Sequence, residues 1–175
     1  MLLNISKKQR SILIILVIGT FLGFLNQTLM NVALPNIMTE FHIGPSQGQW
    51  VTNGYMLVNG VMVPLTAFLI QRLTTRKLYL TAVGLFALGT LIAGFANSFA
   101  VLVTGRMVQA IGAGVFGPLM NVVVMNLYES DKRGQAMGMI GLALNFAPAI
   151  GPTLSGLIIT QLSWRFLFLI VAPFI

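Results

Sequence analysis

GQAMGMIGLALNFAPAIGPTLSG, residues 134–156, decides how the chain has to be read. The stretch is mostly apolar and long enough to cross a bilayer, yet it holds five glycines and two prolines. On a helix Ala147, Gly151 and Ser155 recur every fourth residue and form one seam, with Pro148 and Pro152 in a second row beside it. An interior proline in a soluble helix costs about 3 kcal/mol. In lipid no water reaches the carbonyls it frees, so neighbouring protein has to satisfy them. Small residues let a partner helix come close enough to do so. The spacing therefore predicts a membrane helix built for an interface.

The rest of the composition agrees. The chain has 175 residues, 57% hydrophobic and 7% charged, with mean hydropathy +0.90. A soluble domain carries roughly 25% charged residues, so the apolar surplus has to face lipid. A net charge of +7 raises the question of nucleic acid. The charges lie in short clusters between apolar runs, however, and membrane topology explains them without a nucleic-acid partner. There is no cysteine and a single histidine, His42, which excludes disulfides, thiol catalysis and a histidine-based metal centre. No paired carboxylates, Ser/His/Asp set or phosphate loop stands out, so neither an enzyme nor a cofactor is expected.

Residues 1–10 form a short polar leader with Lys7, Lys8 and Arg10, and 11–175 read as one transmembrane bundle. Apolar runs fall at about 11–34, 51–70, 78–95, 100–127, 137–159 and 166–175. A spanning helix needs roughly 20 residues, which gives five complete spans and the start of a sixth. A signal peptide has an apolar region of only about 7–15 residues, shorter than the first run. The connectors at 74–77, 96–98 and 161–165 are short, so consecutive helices are antiparallel neighbours. The incomplete sixth run predicts a fragment or a truncated product, lacking the carboxy-terminal half.

Basic residues set the orientation. Lys7, Lys8, Arg10, Arg72, Arg76, Lys77, Lys132 and Arg133 all fall on one side if the spans alternate, against Arg165 on the other. The amino terminus is therefore expected in the cytoplasm. Trp50 and Trp164 then sit at outer helix ends as interfacial anchors.

Several polar residues lie inside the runs. Gly19, Gly23, Gln27 and Asn31 share one four-residue row, and Asn26 lies one heptad from Gly19. They either bridge packed helices, at about 0.6–2 kcal/mol each, or line a cavity that offers hydrogen bonds to a solute. Tyr55 and Asn59, one turn apart, pose the same choice. Arg106 is the one fixed charge well inside a run. Counted from Ser98, it lies about 12 Å along the axis. At mid-bilayer it costs at least about 2.5 kcal/mol unless it faces protein or water; the alternative is snorkelling to the outer headgroups. Gln109, Ala113, Gly117 and Asn121 continue its row, and Pro118 allows a bend. The ten methionines read as flexible packing, and His42 beside Glu40 as a solvated pair. The three acids, Glu40, Glu129 and Asp131, all lie outside the runs, so no carboxylate within them can carry a proton.

Six stretches together resemble the major facilitator superfamily, in particular its EmrB/QacA-type drug:proton antiporters with fourteen helices. LNQTLMNVALP (25–35) is similar to the first-helix motif LDxTIVNVALP, and QWVTNGYML (49–57) to the opening of the second helix. AFLIQRLTTRKL (67–78) sits where the superfamily has GxLaDrxGrrxl, and GRMVQAIGAG (105–114) resembles RxxQGxGaG. APAIGPTLSG (147–156) resembles the antiporter motif GPxxGPxxGG, and SWRFLFLIVAP (163–173) the start of the sixth helix. The TTR step at 74–76 is similar to lincomycin-resistance-type exporters.

The resemblance implies an all-α polytopic membrane protein, the first six-helix half of a major facilitator fold made of two inverted three-helix repeats, with its sixth helix truncated. It also implies a cavity that opens alternately to each side of a bacterial plasma membrane. Arg106 takes a role in proton movement or substrate contact, and Asn26, Gln27, Asn31, Tyr55, Asn59 and Gln109 are the other expected substrate or coupling residues. Pro148, Gly151, Pro152 and Gly156 take packing and gating roles. Gln71, Arg72, Arg76 and Lys77 form a cytoplasmic gate. Three departures matter: Asn26 replaces the first-helix aspartate, Gln71 and Thr74 replace the loop aspartate and glycine, and Val171 replaces the sixth-helix asparagine. Glu129 or Asp131 is expected to pair with Arg76 or Lys77 in place of the lost loop charge. The expected function is proton-coupled export of amphipathic drugs or related small molecules. The alternatives are a proton-independent or anion-favouring exporter of the same fold, and a non-transporting half-carrier.

Overall fold

The structure, a computed structural model, describes residues 7–174. Positions 1–6 of the expected leader and Ile175 of the sixth run lie outside the described residues. Within them every regular element is a helix: α1 Lys7–Phe41, α2 Pro45–Gly48, α3 Trp50–Arg72, α4 Thr75–Gly94, α5 Phe99–Leu127, α6 Ser130–Gln161 and α7 Phe166–Leu169, then a 3-10 turn at Ala172–Phe174. Five of the segments, Ser11–Phe41, Pro45–Arg72, Thr75–Gly94, Phe99–Leu127 and Ser130–Gln161, are long and apolar enough to cross a membrane.

The helices run further than their apolar cores. α1 continues through Pro35 to Phe41, where Thr39 Oγ1 donates to the Pro35 carbonyl at 3.0 Å. It stops where His42 takes a left-handed conformation, φ 53°. Side-chain oxygens start two others: Thr74 Oγ1 accepts from Lys77 N at α4, and Ser98 Oγ accepts from Val101 N at α5, each at 3.4 Å.

α5 is the central helix, touching α1, α3, α4 and α6. Its approach to α4 depends on missing side chains. A Cβ on Gly112 would run into the Ala82 carbonyl and Phe86 N, one on Gly89 into Gln109 N, and one on Gly105 into Ala93 N. Lipid tails are as apolar as leucine, so helices associate through such close packing and not through the hydrophobic effect. α6 leans mainly on α1. Large apolar side chains such as Leu57, Phe68, Leu142, Phe146 and Leu157 stand exposed around the bundle, as a lipid-facing surface requires.

The helix ends around Glu40 and Trp164 correct two expectations. Trp50 is 51% exposed and free to anchor in an interface, but Trp164 is only 2% exposed. It packs on Phe41 and Phe168, and its Nε1–H donates to Glu40 Oε2 at 2.6 Å. Glu40 is not paired with His42. Its other oxygen accepts from Arg165 Nη1 at 2.6 Å, while Arg165 Nη2 reaches the Ala96 carbonyl at 2.9 Å. A buried indole N–H needs an acceptor, and the carboxylate at the end of α1 is the one in reach.

Candidate functional site

Arg106 is fully buried, which rules out snorkelling. Its guanidinium lies among residues of α1, α3 and α7. Nη1 donates to Asn26 Oδ1 and to Gln109 Oε1, the latter at 2.6 Å, and Nε donates to the Val51 carbonyl at 3.4 Å. The Tyr55 ring lies 4.1 Å from the guanidinium carbon and Phe168 lies 5.9 Å away. Gln109 Nε2 donates onward to Thr90 Oγ1 at 2.7 Å, and Thr90 to the Phe86 carbonyl at 2.7 Å. Neutral oxygens and aromatic faces thus surround the charge. Among the described residues Glu40 pairs with Arg165 and Glu129 with Lys132, so neither acid neutralises Arg106.

A cleft of about 180 Å³ lies beside this cluster, lined by Gln27, Tyr55, Asn59, Ala113, Gly117 and Pro118 among others. Sites that enclose drug-sized solutes measure roughly 300–1,000 Å³, so this surface can be only part of one. Tyr55 belongs to both features. The expected polar residues therefore divide: Asn26, Arg106 and Gln109 sit behind Tyr55, while Gln27 and Asn59 face the cleft. Asn31 is exposed elsewhere on α1, and Asn121, further along the row of Arg106, is exposed as well.

The seam read from residues 134–156 meets α1. Ala147, Gly151 and Ser155 are buried, and Ser155 Oγ donates to the Leu29 carbonyl at 3.0 Å. Thr28 Oγ1 fills the place a Gly151 Cβ would take and reaches the Ala147 carbonyl at 3.5 Å. Pro148 and Pro152 are exposed in the row beside that seam, and a Cβ at Gly156 would meet open space. Of the motif's residues, Gly151 is the one that sets a helix approach.

Gln71, Arg72, Arg76, Lys77, Glu129 and Asp131 are all exposed. Arg72 lies 4.7 Å over the Phe68 ring. The expected pairing of Glu129 or Asp131 with Arg76 or Lys77 is corrected: Glu129 takes Lys132 at 2.6 Å, and no ion pair joins the two connectors among the described residues. Residues three apart on one helical turn meet at lower entropic cost than residues on separate loops. Sequence reasoning missed Thr90, Phe168 and Thr28. Thr90 and Phe168 lie in apolar runs with nothing in their spacing to mark them, Thr28 stands in the quoted first-helix motif, and only the neighbouring helix gives each a role.

Comparison with known proteins fits this geometry. The sequence profile described as Major Facilitator Superfamily matches residues 16–175. The chain is 51% identical over 167 residues to the uncharacterized MFS-type transporter YcnB of Bacillus subtilis, covering 95% of this chain and 35% of that protein. It is 44% identical over 168 residues to the lincomycin resistance protein LmrB of Bacillus subtilis, covering 96% and 35%. The chain thus spans about a third of the length of the curated relatives it matches. Among solved structures, a bacterial homolog of the human lysosomal transporter Spinster, inward-facing and unoccupied, superposes with TM-score 0.74 at 23% identity, over 97% of this chain and 41% of that one.

Proposed function

We propose that this chain, which belongs to the Major Facilitator Superfamily, supplies one helical bundle of an exporter for amphipathic small molecules. The observation that carries the reading is the juxtaposition at Tyr55. A polar cluster built on a buried guanidinium stands directly behind a cleft that presents Gln27 and Asn59. A charge inside a membrane bundle is costly to place and marks a solute or ion path. The relation to a lincomycin resistance protein supports drug-like solutes as the cargo. In this reading the cavity opens alternately to each face of a bacterial plasma membrane, with the amino terminus in the cytoplasm as the basic residues direct. Arg72, Arg76 and Lys77 belong to the closing surface on that side, and Gly151 to the hinge line between α1 and α6.

Coupling to protons is part of the proposal; with no carboxylate inside the apolar runs, it calls on an acid at a helix end or one elsewhere in the natural-length protein. Efflux of a lincosamide or a fluorescent amphipathic dye from cells expressing the natural-length protein tests the reading. Arg106→Ala is expected to abolish efflux at unchanged membrane insertion. Normal efflux by that variant would sink the site assignment. An ionophore that collapses the pH gradient should stop transport as well, and persistence would favour the proton-independent alternative.

A further inference from the structure

The hydrogen-bonding inventory around Arg106 is one-sided. A guanidinium only donates, through five N–H groups in a fixed fork. Nε and Nη1 are used on Val51, Asn26 and Gln109. Both amides must therefore turn their oxygens toward Arg106, which leaves their amino groups facing away. Gln109 passes its amino group on to Thr90. Asn26 has no such outlet: its Nδ2 and the Nη2 of Arg106 are enclosed, with no acceptor among the described residues. Two side chains already joined to each other thus hold unused donors and a whole positive charge in a fully buried place.

A neutral acceptor would satisfy single donors and leave the charge unbalanced. A halide or a carboxylate oxygen satisfies several donors at once and cancels the charge, which is why charge-assisted pairs are the stronger ones. There is also a way in, because the ring stacked on the guanidinium is itself part of the cleft wall. Rotation of Tyr55 about its χ angles would connect the two. We propose that Arg106 and Asn26 form a binding site for one anionic group, a halide ion or a carboxylate, entered from the cleft past Tyr55. The site does not depend on the export reading, because it concerns binding alone.

The test is equilibrium binding of radiolabelled chloride and, separately, radiolabelled acetate to the natural-length protein purified in detergent. Ionic strength is held constant with a bulky sulfonate. Saturable binding, lost in Arg106→Gln and in Asn26→Asp, is expected. The Asp variant matters most, since it keeps an acceptor for Nη1 and installs its own counter-charge. It decides the question even if the Gln variant does not fold. Chloride binding that acetate cannot displace identifies a free ion as the occupant, and preferential acetate binding identifies the carboxylate of a solute. Absence of saturable binding of either anion would overturn the proposal, as when an acid from another segment already fills the position. So would wild-type affinity in Asn26→Asp.

Discussion

Arg106 on α5 and Asn26 on α1, 80 residues apart in sequence, are joined by a hydrogen bond from the guanidinium Nη1 to the amide Oδ1. The first-helix motif that residues 25–35 resemble has an aspartate at this position; with asparagine the contact is one of charge to dipole. The cluster has no counter-charge among the described residues. That contact, with the unmet donors beside it, underlies the proposed anion site.

Conservative replacement at Arg106 should not be tolerated. Arg106→Lys keeps the charge, but a point ammonium cannot reproduce a planar fork that serves Asn26, Gln109 and Val51 while stacking on Tyr55. Each buried acceptor left unmet costs about 1–3 kcal/mol. Thermal unfolding in detergent should show a loss of at least about 1 kcal/mol, with efflux falling in parallel.

The α4–α5 interface should be far less forgiving than glycines elsewhere. Gly112→Ala places a methyl against the backbone at Ala82 and Phe86, which cannot rotate away. Overpacking of this kind costs about 1–3 kcal/mol. Gly138→Ala meets nothing within 4 Å and should be neutral or stabilising, since alanine gains up to about 1 kcal/mol over glycine in a helix. Equal melting temperatures for the two variants would contradict the packing described here.

The α1–α6 seam offers a coupling test. Gly151→Ala collides with Thr28 Oγ1, whereas Gly156→Ala does not collide with anything within 4 Å. Thr28→Ala should restore part of the stability lost in Gly151→Ala, giving an interaction energy of about 0.5–3 kcal/mol in a double-mutant cycle. Additive effects would mean the two helices do not meet at these residues.

At Glu40, charge and hydrogen bond can be separated. The Glu40–Arg165 side chains are 41% and 28% exposed, so the ion pair alone contributes about 1 kcal/mol or less and weakens with salt. Glu40→Gln, which keeps an acceptor for Trp164, should cost no more than that. Glu40→Leu should cost about 1–3 kcal/mol, because a buried indole N–H loses its partner.

His42→Gly should stabilise the protein by about 1 kcal/mol, measured as a rise in melting temperature. His42 is exposed and holds φ 53° just past the end of α1, a conformation that costs an L-residue about 1–2 kcal/mol and glycine almost nothing. An unchanged or lowered melting temperature would show that the imidazole itself has a role there.

Much of this bundle was written in the local pattern. Apolar runs separated by short polar connectors determine helices that cross lipid, because an unpaired backbone cannot remain there. The four-residue spacing of Ala147, Gly151 and Ser155 determines a seam, because a helix returns to one face at that interval. Which surface meets that seam is another matter. It depends on how each helix is rotated about its axis and where it crosses its neighbours, and those quantities arise from contacts distant in sequence. Only the tertiary structure therefore decided that Arg106 turns to Asn26 and not to headgroups, and that Trp164 folds inward onto Glu40. It alone also decided that Pro148 and Pro152 stand exposed beside the buried seam. A side chain's chemistry states what it needs, and the packing of whole helices selects which distant residue supplies it.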